Sequence, residues 1–119
     1  MQNTLSMTVG KLDEAKGAQE VKFSGEFDKA GYTAVREELN DLVKNFGGKS
    51  LVFNFSGLKF INSEGIGHLM EIHSFLGKSD KVLAIVGPNA HVKDVFGAVG
   101  MDQIMPVHES LSAFLSSKK

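Results

Sequence analysis

Hydrophobic and polar residues alternate with two different periods along this chain, and each change of period marks an element boundary. Val21, Phe23, Gly25 and Phe27 are separated by single polar residues, the spacing of a strand with one buried face. Met7 to Lys11 and Glu20 to Phe27 are therefore expected as two strands at a sheet edge, joined by a hairpin loop over Asp13 to Ala18. Beyond Asp28 the period lengthens. Tyr32, Val35, Leu39, Leu42, Val43 and Phe46 recur at helical spacing, with Asp28 as N-cap and Gly47 and Gly48 as the stop.

The next stretch, Leu51 to Leu76, organises the rest. A nearly unbroken apolar run, Leu51 to Phe55, passes through Ser56 and Gly57 into Phe60 and Ile61, then gives way to the polar triplet Asn62, Ser63, Glu64. Ile66, Leu69, Ile72, His73 and Leu76 then share one arc of a helical wheel. This reads as a strand covered on both faces, a tight loop, an exposed serine and a helix. Val82 to Val86 is a second buried strand, ended by Gly87 and Pro88. Asn89 caps a helix with Val92, Val95, Phe96 and Val99 on its apolar stripe, and Gly100 ends it. Ile104 to Val107 is expected as a last strand. A closing helix near Ser110 to Ser116 presents Leu111, Phe114 and Leu115, followed by Lys118 and Lys119, whose charge suits a helix C-terminal end.

Two strands followed by regular helix and strand alternation imply an α/β domain: a small mixed, mostly parallel sheet with about four helices packed on it. With 119 residues and 42% hydrophobic content the chain has room for one core, so residues 1–119 are expected to form a single domain. Net charge is −1 and the basic residues are interleaved with acidic ones, which disfavours nucleic acid as a partner. Cysteine is absent, so disulfides, thiolate catalysis and cysteine-held zinc are ruled out together. The start shows no signal-peptide pattern, and no apolar run approaches the roughly 18 residues a membrane helix needs. A cytoplasmic protein without membrane insertion is the expectation.

Ser63 falls where a helix begins, and the first backbone N–H groups of a helix lack internal partners. Its hydroxyl suits an N-cap. Phosphorylated, it would bring roughly −1.5 to −2 charges to a helix end that favours them, with Glu64 beside it working against. Both roles stay open on pattern alone. A nucleophile elbow needs G-x-S-x-G, but Ile61 stands where the first glycine belongs. Gly65-Ile66-Gly67 has Met70 where a dinucleotide loop needs its third glycine, and no strand runs directly into it. Close backbone packing or a closely approaching partner explains those glycines more simply. His68 and His73 point about 140° apart on a helix, which makes no metal site. No enzyme activity, cofactor or metal is expected.

Gly25-Glu26-Phe27-Asp28, Asn54-Phe55-Ser56-Gly57-Leu58 and Phe60-Ile61-Asn62-Ser63-Glu64-Gly65-Ile66-Gly67, in that order and spacing, resemble the STAS domain of bacterial anti-anti-sigma factors. The similarity continues through Leu83 to Pro88 and Met105-Pro106-Val107. It implies a STAS-type fold and an anti-sigma factor antagonist in a partner-switching system. The implied phosphorylation site is Ser63, and the implied partners are a serine kinase that doubles as anti-sigma factor and a matching phosphatase. Such an antagonist binds the kinase when unphosphorylated and releases it when phosphorylated. The docking surface would comprise Asp28, the loop Asn62, Ser63, Glu64, and the helix start with Gly65, Gly67 and apolar contact from Ile66 or Met70.

Two residues depart from the pattern the resemblance carries: Asn62 replaces the aspartate before the serine, and Asn54 replaces an aspartate often found in the strand. Each change deletes a carboxylate, and Glu64 stands where a small residue is usual. STAS domains also resemble parts of anion transporters, lipid-transport complexes and signalling scaffolds. A non-switching binding module is therefore the alternative, though the short chain disfavours a transporter tail.

Overall fold

The computed structural model describes residues 4–117. Its elements follow as β1 (Ser6–Asp13), β2 (Ala18–Phe27), α1 (Lys29–Asn45), β3 (Ser50–Ile61), α2 (Ser63–Gly77), β4 (Val82–Val86), α3 (Ala90–Val99), a 3-10 turn (Met101–Gln103), β5 (Val107–His108) and α4 (Leu111–Ser117). One five-stranded sheet carries the strands in chain order. β1 and β2 are antiparallel, and the remaining neighbours are parallel. This is the mixed, mostly parallel sheet with four helices that the alternation predicts. Lys118 and Lys119 lie outside the described residues.

Sheet order explains the layering. When each strand is added beside the previous one through a right-handed crossover, successive helices fall on the same face. Accordingly Val35, Leu39 and Val43 of α1, Leu69, Ile72 and Leu76 of α2, and Val92 and Phe96 of α3 share one core with Leu51, Phe53 and Phe55 of β3. On the opposite face, Phe114, Leu111 and Leu115 of α4 pack against Val52, Ala84 and Val86. The first half of β3, Ser50 to Phe55, is thus covered on both sides, which is why it reads as a nearly unbroken apolar run instead of an alternation.

Aromatic packing holds the middle of the larger core. Phe23 lies 4.7 Å from Phe53 and 5.6 Å from Phe55, ring centre to ring centre, and Phe55 reaches Phe96 at 6.3 Å. Such pairs contribute about 0.5–1.5 kcal/mol each beyond the area they bury. They tie β2, β3 and α3 into one unit. Gly100 ends α3 with φ +76°, the left-handed conformation that glycine adopts without a Cβ clash.

Two features differ from the expectation. Instead of a tight loop between strand and serine, β3 itself runs through Ser56 and Gly57 to Ile61, and the register against β2 shifts between Lys22 and Ser24 and again between Gly25 and Glu26. Each shift lets β3 hold one extra residue: Phe55 and Ser56 lie opposite Phe23 alone, and Lys59 is the extra residue between Leu58 and Phe60. The final strand is also shorter than Ile104 to Val107. Only Val107 and His108 pair with β4, because the chain turns through Met101–Gln103 and exposes Ile104 before Pro106, which has no N–H to give a ladder.

On the α4 side of the sheet, the Asn54 side chain joins two strands. Its Nδ2 donates to Glu20 Oε2 at 2.8 Å, while its Oδ1 accepts from the Ser56 N–H at 2.9 Å and the Ser56 hydroxyl at 2.7 Å. An aspartate here would set carboxylate against carboxylate and lose the donor, so asparagine at 54 and glutamate at 20 belong together. Asn54→Asp is expected to lower stability at neutral pH by about 2 kcal/mol. Urea denaturation measures this, and adding Glu20→Gln, which restores a donor across the pair, should recover most of the loss.

Candidate functional site

Three helices begin at the same edge of the sheet, where the parallel strands end. Each start is capped by a side-chain oxygen: Asp28 Oδ1 accepts from the Gly31 N–H at 2.8 Å, Asn62 Oδ1 from Gly65 at 3.0 Å, and Asn89 Oδ1 from Val92 at 2.8 Å. Parallel strands joined by helices place all such starts on one side, and their dipoles add there. Phe27 pairs with Ile61 in the sheet, and the Asn62 N–H donates to the Phe27 carbonyl at 3.3 Å. Asp28 and Asn62 therefore leave the sheet side by side. The acidic residue at the head of α1 and the serine loop, far apart in sequence, meet here.

Ser63 is not the N-cap. Asn62 takes that place with φ −114° and ψ −174°, and Ser63 is the first residue of α2. Both residue types cap well, but only the residue that precedes the helical turn can turn its oxygen back on the N–H three positions later. Consequently the Ser63 hydroxyl is exposed, and among the described residues no hydrogen bond engages it. The capping role that an aspartate at 62 would fill is filled by an amide oxygen, without the charge.

The two glycines of α2 have different reasons. A Cβ on Gly65 would run into the Phe27 carbonyl oxygen and lie 2.8 Å from Ile61 Cγ1, so Gly65 lets the first turn of α2 close onto the strand ends. It is buried and offers a partner no side-chain surface. Gly67 has nothing within 4 Å of such a Cβ and is open to solvent. Both glycines lie inside α2, one turn after β3 runs in through Asn62, so they form no phosphate-cradling loop between strand and helix. Ile66 and Met70 are half-buried against the core and keep part of their surface free. Glu64 is exposed in the first turn, where the dipole favours its charge.

Sequence periodicity gives no sign of two aromatic contacts beside the site. Tyr32 and His68 stack at 3.5 Å with planes 10° apart, tying the start of α1 to α2, and His68 Nδ1 lies 3.4 Å from Glu71. Phe60 stacks on His91 at 5.4 Å and 12°. Only the neighbourhood of α1 with α2, and of β3 with α3, brings these rings together. Among the described residues no group of three or more metal-ligating side chains assembles, and no helix is long and apolar enough to cross a membrane.

The capping geometry makes a direct prediction. Asn62→Ala should lower stability by about 1 kcal/mol, while Ser63→Ala should stay within about 0.5 kcal/mol of the parent. Urea denaturation of the two variants decides it, since the reverse order would return the cap to Ser63.

No curated protein sequence matches the chain. Solved structures share its fold. An anti-sigma factor antagonist from Mycobacterium paratuberculosis is 23% identical, with 96% of this chain and 93% of that one covered and a TM-score of 0.82. The Bacillus cell fate determinant SpoIIAA, in its phosphorylated form, is 16% identical over 95% of this chain and 100% of that one, with a TM-score of 0.69. A sulfate transporter family protein from Wolinella succinogenes is 16% identical over 92% of this chain and 88% of that one, with a TM-score of 0.72. At these identities the likeness is one of fold. The STAS domain family model matches residues 11–113, nearly the whole chain, and this protein belongs to the STAS domain family.

Proposed function

We propose that this protein is a phospho-regulated antagonist in a partner-switching system, acting in the cytoplasm as a binding module without enzymatic activity of its own. The observation that carries the reading is the Ser63 hydroxyl: exposed, without a hydrogen bond among the described residues, and set on the first residue of a helix whose neighbour, α1, is capped by Asp28. A kinase needs a hydroxyl that it can reach without unfolding its substrate, and this one is already presented. The shared fold does not choose between functions by itself, since antagonists and a transporter-family protein both adopt it. Solved structures of a similar antagonist in unphosphorylated and phosphorylated forms are consistent with a switch on this scaffold.

Binding would use the surface around Asp28 and Asn62 to Glu64, with Ile66 and Met70 supplying apolar contact and Gly67 leaving the helix backbone open. Phosphate on Ser63 acts locally. A new like-charge pair near 4 Å costs about 4 kcal/mol at an effective dielectric of 20, roughly a thousandfold in affinity before salt screening. No change of fold is needed. Asn62 keeps the loop shape through its cap while reducing the negative charge beside Ser63, so the hydroxyl is presented in a less acidic setting than an aspartate would give. The partners implied are a serine kinase that is also an anti-sigma factor, and a phosphatase that resets the site.

Affinity capture from the source cells with wild type, Ser63→Ala and Ser63→Asp as baits tests the reading, with mass spectrometry for bound proteins and for phosphate on wild-type Ser63. An ATP-binding kinase held by Ser63→Ala and lost from Ser63→Asp by a factor of a hundred or more is the expected result. The same partners on all three baits, with Ser63 unmodified, would instead identify a constitutive docking module.

A further inference from the structure

The large apolar side chains exposed among the described residues are Val9, Phe60, Phe75, Val82, Val99 and Ile104. Val9 lies on the edge strand β1, and Phe75, Val82, Val99 and Ile104 lie at or near the ends of elements remote from Ser63. Phe60 alone is at the edge where the three helices start. It is 37% exposed, three residues before Ser63, on the part of β3 that continues past its pairing with β4.

Its setting is rigid. Phe60 stacks on His91, in the first turn of α3, at 5.4 Å with planes 12° apart. The helix cap holds this turn in place, because Asn89 Nδ2 donates to the Leu58 carbonyl at 3.1 Å while Asn89 Oδ1 caps Val92. Neither ring needs to be ordered on contact. A large side chain already held in place loses little further freedom when a partner packs on it, and that saving favours binding.

Geometry also identifies the occupant. Three residues span at most about 11 Å, so Phe60 lies within that distance of Ser63. A standard interface covers roughly 800 Å² on each partner, a disc about 16 Å in radius. An interface of that size centred on the Ser63 hydroxyl reaches Phe60, and His91 stacks directly on the Phe60 ring. We propose that the Phe60–His91 pair is the anchor by which the kinase acting on Ser63 holds this domain, an apolar side chain of the kinase packing on the exposed part of the pair. The proposal rests on Ser63 being the site of a kinase partner. It divides the labour at this edge: Ser63 reports the state, and the aromatic pair supplies the attraction.

The test uses the kinase retained by the Ser63→Ala bait, purified, with dissociation constants measured by calorimetry. In the Ser63→Ala background, Phe60→Ala should weaken binding by roughly thirtyfold, His91→Ala by several-fold, and Phe75→Ala, at the far end of α2, by less than twofold. Circular dichroism and thermal melts check each variant. If Phe60→Ala fails to fold, His91→Ala, on an exposed helix position, decides instead. Unchanged affinity in the folded Phe60→Ala variant, or in His91→Ala where that variant decides, overturns the anchor. If Ser63→Asp releases the kinase in that case, the switch stands without it. A kinase that Ser63→Asp still holds overturns the switch whatever Phe60 does, and a Ser63→Ala bait that retains no kinase removes both.

Discussion

Burial of the first half of β3, Ser50 to Phe55, on both faces is the constraint from which the rest of the molecule follows. Leu51, Phe53 and Phe55 are enclosed by three helices, and Val52 by the fourth. A strand covered in this way cannot shift register by one residue without exchanging the two sets of side chains, so its position in the sheet is fixed. Its far end is fixed with it. Ile61 is 1% exposed, and the next two residues are the cap and the serine. A hydrophobic strand thus determines where a polar, exposed hydroxyl is offered.

That arrangement separates stability from recognition. At this edge the core is closed by Ile61 and Gly65, and the groups available to another protein flank them in sequence: Phe60 on one side, Asn62 to Glu64 between them, and Ile66 and Gly67 beyond. Charge added at Ser63 meets solvent, helix dipoles and neighbouring carboxylates, and it displaces no buried contact. The proposed switch therefore requires only that a partner be sensitive to charge at one point on a rigid surface. Asn62 fits the same division. Its oxygen does the structural work of closing the helix start, and loss of the carboxylate changes the electrostatics alone.

Most elements were legible from hydrophobic period, because the packing that selects them is local in pattern: β2 from its alternation, α1 to α3 from their stripes, and Asp28 and Asn89 as caps. Three kinds of feature were not. Choosing Asn62 over Ser63 as cap depends on which residue first takes helical dihedrals, and two good capping residues in succession leave that undecided until the strand end is placed. The apolar run at Ile104 to Val107 resembles a strand, yet the turn at Met101–Gln103 directs Ile104 outward and leaves two residues to pair. The Asn54–Glu20 bridge and the two aromatic stacks join residues from different elements, and no period along a single chain encodes them. At the site, Ser63 and Asp28 were found through resemblance and helix-start chemistry, whereas Phe60 and His91 emerged only once β3 and α3 were brought together.

The order of the strands bears on how the molecule forms. β1 to β5 lie in the sheet as they occur in the chain, so every strand pairs with the one made just before it. No pairing waits for a distant segment, and each new strand closes a loop of one helix and its connections. Closing such loops in succession loses less chain entropy at any one step than joining remote segments, which is the usual obstacle for parallel sheets. Assembly can begin at the β1–β2 hairpin and grow in one direction, with Ser63 placed once α2 has docked, the edge complete once α3 has followed, and α4 added last.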